Sequence, residues 1–282
     1  MLPHQSRVES PVGSSAVDRH TVLTIITPCF NAAATIGDTL LSTSLVAGLL
    51  KRRGWDLEHH VIDGGSTDGT LELIRSFQKA HPFCHLTSPV QGGPYVAMND
   101  GLNHASGYFT HILNADDLIW NASAYVELVV RSVECGASFV LGSIVYFRRP
   151  SWAVRSCWLV EPLPLDRGHW KRALRRGLHY PHPGFIARTN LYQQQGFDPL
   201  FKLSADYKLM QSLLIDADDA AVICTSQAPI VAMAEGGLTG RWQSIVSGYW
   251  QLRAINRQLG IDAPAWRRYL HKIINRFFRA EW

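Results

Sequence analysis

The 282-residue sequence has no Cys-x-x-Cys pair; its five cysteines, Cys29, Cys84, Cys135, Cys157 and Cys224, are scattered and odd in number. That distribution argues against a disulfide framework or a cysteine zinc site, and for a reducing compartment. No apolar run reaches the roughly 18 residues of a membrane-spanning helix. Residues 1–20 are polar, include Glu9 and Asp18, and lack the apolar core of a signal peptide. G-x-G-x-x-G and G-x-x-x-x-G-K-S/T are both missing, which removes the usual dinucleotide and P-loop devices. No Ser-His-Asp or Cys-His constellation stands out. Charge is sparse, at 18% of residues with a net +4, and no nucleic-acid partner is expected from it. The basic residues are nevertheless clustered, at 51–53, 167–176 and 267–279.

What is present is a folded-protein composition, 46% hydrophobic, on a chain long enough to bury a sizeable core. Residues 1–20 read as a loose tail. Thr21–Thr27 is β-branched and apolar throughout, as for a strand buried on both faces, and Pro28 is expected to stop it. A helix over about 33–52, a strand over 57–62 ending at Asp63, and a further helix past Thr70 follow. Next come a short strand at 83–86, a helix carrying Tyr95, Met98, Asn99 and Leu102 that Gly107 is expected to end, and a strand from Phe109 to Leu113. Such alternation means parallel βαβ units. Beyond it lie a helix at 122–133, a strand at 138–147, and a Trp-, Pro- and Arg-rich stretch at 148–183 with weak periodicity. A short strand at 185–187, helices at 190–195 and from 204, and a last strand at 229–232 complete the domain.

Three places carry candidate chemistry. The apolar strand Phe109–Leu113 ends abruptly in Asn114-Ala-Asp-Asp117. Adjacent carboxylates at the carboxyl end of a buried strand either hold a divalent cation against a phosphorylated ligand or cap the helix that follows. Asp63, before a glycine turn, either shapes a strand–turn–helix connection or accepts hydrogen bonds from a base or ribose. Asp206 either complements a helix start or acts as a general base. At the C-terminus, Trp266, Tyr269, Leu270, Ile273, Ile274, Phe277 and Phe278 fall on one helical face with basic residues between them. Such a helix docks on its own core or a partner, or lies on an anionic membrane.

Taken together, the motifs resemble those of family 2 glycosyltransferases over roughly residues 21–240. Thr27-Pro-Cys-Phe-Asn31, Val61-Ile-Asp-Gly-Gly-Ser-Thr-Asp-Gly-Thr70, Pro94–Gly101 with Leu113–Asp117, and Phe201–Met210 occur in the family's order. The resemblance implies an α/β, GT-A fold: a Rossmann-like, mostly parallel sheet flanked by helices. It sets a nucleotide-sugar half at 21–120, an acceptor half at 121–240, and helices at 241–282. It also implies an inverting transfer from a nucleotide sugar, UDP-linked, to a hydroxyl on a saccharide or lipid-linked acceptor, with Mn²⁺ or Mg²⁺ as cofactor. By this resemblance Phe30, Asn31 and Asp63 hold base and ribose, Tyr95 and Asn99 line the donor site, and Asp116 faces the ribose or sugar. Asp117 binds the metal and Asp206 is the base. His182 touches acceptor or diphosphate, and Gly236 and Gly237 belong to a loop over the donor. The expected setting is cytoplasmic, peripheral at the inner face of the plasma membrane, in cell-surface polysaccharide or glycolipid synthesis. Gly64, Asn114 and Val96 depart from the commoner family residues. They keep open a degenerate nucleotide-sugar-binding protein without turnover, beside a nucleotidyltransferase on a similar sheet.

Overall fold

A computed structural model describes residues 21–161, 167–235 and 242–264. The expected tail at 1–20, Gly236, Gly237 and residues 265–282 of the terminal helix lie outside the described residues. The sheet is built on β1 (Thr21–Cys29), which is buried along nearly its whole length, as its unbroken apolar and β-branched sequence requires. Around it run β2 (Asp56–Asp63), β3 (Cys84–Thr87) and β4 (Phe109–Ile112), all parallel, in the order β3-β2-β1-β4. The crossovers are α1 (Ile36–Lys51), α2 (Thr70–Ala80) and α3 (Pro94–His104).

Pro28 does not stop β1, which continues to Cys29. Pairing with β4 ends at Ile26, so the missing N–H of Pro28 falls where β1 has a neighbour on one side only. Nor does Gly107 end α3, which stops at His104. Gly107 serves close approach: a Cβ there would lie 2.7 Å from the Thr24 main-chain nitrogen. Glu58 secures the same crossing. Its carboxylate accepts from Ser106 N–H at 2.6 Å, Ser106 Oγ at 2.8 Å and Gly107 N–H at 3.2 Å, and also from the Thr24 hydroxyl. Burial alone would raise its pKa, but the His60 ring 3.7 Å away and the bonds from Thr24 and Ser106 outweigh burial and hold it down at about 2. The stabilisation is therefore complete above the ordinary glutamate range near 4 and is lost as pH falls toward about 2. Glu58→Gln is expected to cost on the order of 2 kcal/mol at neutral pH and to flatten the acid limb of stability. Denaturant melts across pH check both.

Beyond β4 come β5 (Leu118–Ile119), α4 (Ala122–Glu134), β6 (Phe139–Arg148), β7 (Ala153–Trp158) and α5 (Arg167–Arg175). Then follow β8 (Phe185–Arg188), α6 (Thr189–Gln195), α7 (Ala205–Ile215), β9 (Ile223–Ala234) and α8 (Trp242–Gln258). The order continues β4-β8-β6-β9-β5, with β7 beside β6. β8 runs antiparallel to β4 and β6, while β6 and β9 are parallel. β9 is longer than the expected 229–232. Its first half is half-exposed and polar, so no apolar pattern announced it, and the register with β6 shifts between Ser226 and Pro229. The hairpin strand β7 and helix α5 fill the stretch that gave weak periodicity. The core lies on both faces of the sheet; Leu252 and Ile255 of α8 join the same cluster as Ile26, Tyr207 and Leu209.

Candidate functional site

All four parallel strands of the first half end on one edge of the sheet, where ligands bind in open α/β folds. Because β8 is antiparallel to β4, its amino end, and the 3₁₀ turn His182–Gly184 before it, reach the same edge. That turn seats tightly: a Cβ on Gly184 would lie 2.0 Å from the Gly142 carbonyl oxygen of β6.

At the end of β2, Asp63 is fully buried. Its Oδ2 accepts from Gly65 N–H at 2.8 Å, Ser66 N–H at 3.0 Å and Ser88 Oγ at 2.8 Å, and its Oδ1 accepts from the Ser66 hydroxyl. Burial raises its pKa, but those bonds outweigh burial and leave it lowered. Asp63 thus organises the turn, and its oxygens are spent within it. Asn31, in the left-handed region at φ 49, receives Thr67 N–H on its side chain at 3.0 Å and donates its own N–H to Ser66 Oγ at 2.8 Å. Together the two loops form one rim, above which Phe30 stands 63% exposed, an open aromatic face for a base.

At the end of β4, Asp116 and Asp117 have unlike surroundings. Asp117 is 1% exposed. Its Oδ1 accepts from Ala234 N–H of β9 at 3.0 Å and its Oδ2 from Asn114 Nδ2 at 2.9 Å. Its carbonyl receives the Thr39 hydroxyl of α1 at 2.6 Å. Asp117, the expected metal ligand, thus also braces the site, with one protein donor on each carboxylate oxygen. Asp116 is half-buried, and among the described residues no side chain hydrogen-bonds its carboxylate. Burial raises both pKa values, that of Asp117 to about 7 with Asp116 adding to it; Arg149 pulls both back. An open carboxylate that burial makes reluctant to ionise, on a hard oxygen donor, fits a divalent cation that keeps waters and takes its other ligands from phosphate.

Arg149 was not foreseen. It follows β6, lies with its guanidinium carbon 4.6 Å from the Trp152 ring centre and 5.2 Å from that of Phe147, and donates to Asp38 of α1 and to the Asp116 carbonyl. The 148–183 stretch offers no periodicity to mark it, and its partners come from three segments: α1, the loop after β4 and its own β6–β7 hairpin.

A third group surrounds Asp206, in the first turn of α7. Tyr95 of α3 donates its hydroxyl to Asp206 Oδ1 at 3.0 Å and stacks on Phe197, ring centres 5.8 Å apart. Burial, then the Asp206 carboxylate, push the Tyr95 phenol up, so it remains a donor. His182 packs edge-on to Phe197, and its Nε2 is buried with no hydrogen-bond partner among the described residues. Burial lowers the His182 pKa and Asp206 pulls it back. Asn99, expected to line the donor site, bonds the Phe197 main chain: Nδ2 donates to the Phe197 carbonyl and Oδ1 accepts Phe197 N–H, both at 2.7 Å. Asn99 thereby holds the loop on which Tyr95 and His182 rest. Asn99→Ala is expected to lower kcat several-fold with donor Kd unchanged, since it loosens the Asp206 surroundings alone; parallel kinetics and titration check this.

The structure thus brings Tyr95, His182 and Asp206 together, and sets Phe30, Asn31 and Asp63 as a second group. Asp116 and Asp117 stand on the same sheet edge. The sequence profile of Glycosyl transferase family 2 matches residues 24–200. The hyaluronan synthase of Pasteurella multocida is 30% identical over 121 residues, 42% of this chain and 12% of that protein, so this chain matches only a small part of its length. TarS 1–349 of S. aureus in complex with UDP-GlcNAc superposes with a TM-score of 0.62 at 19% identity, covering 88% of this chain and 69% of that one. The mannosyltransferase PcManGT of Pyrobaculum calidifontis, in complex with GDP-Man and Mn²⁺, gives 0.60 at 19% identity, covering 93% and 72%.

Proposed function

Because the chain belongs to glycosyl transferase family 2 and is a glycosyltransferase of GT-A fold, we propose that it moves a sugar from a UDP-linked donor to a hydroxyl with inversion. The observation that carries this reading is the pairing of an open carboxylate, Asp116, at the end of β4 with a Tyr95-held carboxylate, Asp206, on the same edge. Phe30 stacks on the base, and the Asn31–Ser66 rim offers main-chain groups to the base and ribose. Asp116 would hold Mn²⁺ or Mg²⁺, with Asp117 fixing its loop; this moves to Asp116 the metal role that the family motif suggested for Asp117. A cation held there would supply charge neutralisation for the leaving diphosphate.

Asp206 accepts the proton of the acceptor hydroxyl as that oxygen attacks the anomeric carbon from the face opposite the leaving group. Tyr95 keeps Asp206 Oδ1 occupied and so directs Oδ2 at the acceptor. His182 Nε2, buried and without a hydrogen-bond partner among the described residues, offers a hydrogen bond to acceptor or diphosphate. A single displacement needs one base and no enzyme nucleophile. Hexosyl or N-acetylhexosaminyl donors are the first to test, since the TarS complex holds UDP-GlcNAc. Turnover of such a donor, followed by release of UDP, tests the reading; release of pyrophosphate would indicate a nucleotidyltransferase instead.

The acceptor belongs to cell-surface polysaccharide or glycolipid assembly in this reading, supported by the synthase relative and by the basic, aromatic sequence of 264–282. Among the described residues no helix is long and apolar enough to cross a membrane. Deleting 264–282 is expected to reduce binding to anionic vesicles at least about tenfold. Unchanged sedimentation with vesicles would remove the membrane part.

A further inference from the structure

We propose that Cys135 and Cys224 form an oxidisable pair, a site at which a small-molecule disulfide converts two thiols into a reversible covalent staple between α4 and β9. Their sulfurs lie 3.2 Å apart although 89 positions separate them in the chain. Cys135 is the exposed residue just past the last turn of α4; Cys224 is the half-buried second residue of β9. Both are free thiols. The sequence, read by spacing, gave no hint of this meeting, because the fold alone brings the end of a helix to the start of a distant strand.

The seam is held on both sides. Arg131, one turn earlier on α4, donates Nη2 to the Thr225 carbonyl at 2.9 Å. Cys224 pairs with Val140 in the β6–β9 ladder, and Ala137 N–H donates to the Ser132 carbonyl at 2.8 Å. The sulfurs therefore face each other from anchored backbone, and the remaining approach is a matter of side-chain rotation. Cys29 and Cys84 are buried, with thiols pushed up by burial, that of Cys84 to about 12. Cys157 is exposed on β7 and provides an internal control.

The reaction balances with an oxidised glutathione-type disulfide as the oxidant. Cys135, as its thiolate, attacks one sulfur of that disulfide; its S–S bond breaks, a mixed disulfide forms and one small thiolate leaves. Cys224, as its thiolate, then attacks the Cys135 sulfur and expels the second small thiolate. The cysteines lose two electrons, and the two small thiolates take up the two thiol protons. Burial, and then the Cys224 neighbour, push the Cys135 thiol up, so the exchange quickens with rising pH. Cys224 sits at the amino end of β9, and Ala234, which holds Asp117, at the other. The staple thus braces the sheet away from the carboxylates.

The test treats the reduced full chain with oxidised glutathione at about pH 8.5, then digests it without reductant for mass spectrometry. The expected result is one linked peptide pair joining Cys135 to Cys224, reversed by dithiothreitol. In Cys224→Ser, Cys135 is expected to retain a glutathione adduct that the unaltered protein resolves. Oxidation is expected to raise the melting temperature by several degrees in the unaltered protein and not in Cys135→Ser or Cys224→Ser. A stable adduct on Cys135 beside a free Cys224 in the unaltered protein would overturn the proposal. So would linkage only between molecules, or a melting temperature that does not rise.

Discussion

Asp206→Asn is expected to abolish sugar transfer, lowering kcat by about a thousandfold or more, or about 4 kcal/mol of barrier, while donor affinity and melting temperature stay near those of the unaltered protein. The geometry makes the variant informative. Asp206 Oδ1 accepts from Tyr95 at 3.0 Å, and an asparagine oxygen accepts that bond equally well, so the Tyr95–Phe197 stack need not move. What is lost is the proton acceptor alone. Steady-state kinetics beside donor titration separate the two effects. Near-normal turnover in a folded Asp206→Asn protein would falsify the assignment of the base.

The second large effect distinguishes the two adjacent carboxylates. Asp116→Asn is expected to weaken metal-dependent donor binding by about a hundredfold or more and to leave stability unchanged or slightly higher. Its carboxylate has no side-chain partner among the described residues, and removing its charge relieves the burial that raises its pKa and the repulsion it exerts on Asp117. Asp117→Ala is expected to act through the fold. It strands Ala234 N–H and Asn114 Nδ2 and costs roughly 2–4 kcal/mol. Calorimetry with Mn²⁺ and donor, beside denaturant melts, reads both quantities. The reverse pattern, with Asp117→Ala stable and unable to bind metal, would restore the roles suggested by the motif. Because burial raises the pKa of both carboxyls, metal-dependent binding is also expected to strengthen as pH rises, the proton leaving as the cation enters.

The first half of the fold was legible because each signal is local. β1 announces burial on both faces by its run of apolar and β-branched residues, and the strand–helix alternation dictates parallel pairing. Asp63, Asp116 and Asp206 were legible as candidates because each stands where regular structure changes. What each carboxylate or amide touches was not legible, since that depends on donors brought from afar. Asp117 is occupied by the N–H of Ala234, 117 positions away, and Asn99 by the main chain of Phe197, 98 positions away. Arg149 escaped for the same reason: its contacts with Asp38 and Asp116 arise only once α1, the β4 loop and the β6–β7 hairpin have met. The first half of β9 escaped because it is half-exposed and carries no apolar pattern.

The most direct measurement is a calorimetric titration of the unaltered protein with UDP-, GDP- and dTDP-sugars, with Mn²⁺ and then with excess chelator. Saturable binding of a UDP-sugar that requires the metal, and disappears in Asp116→Asn, is the predicted result. Binding of equal strength in chelator, or no binding of any nucleotide sugar in the presence of metal, would contradict a metal-dependent donor site on Asp116.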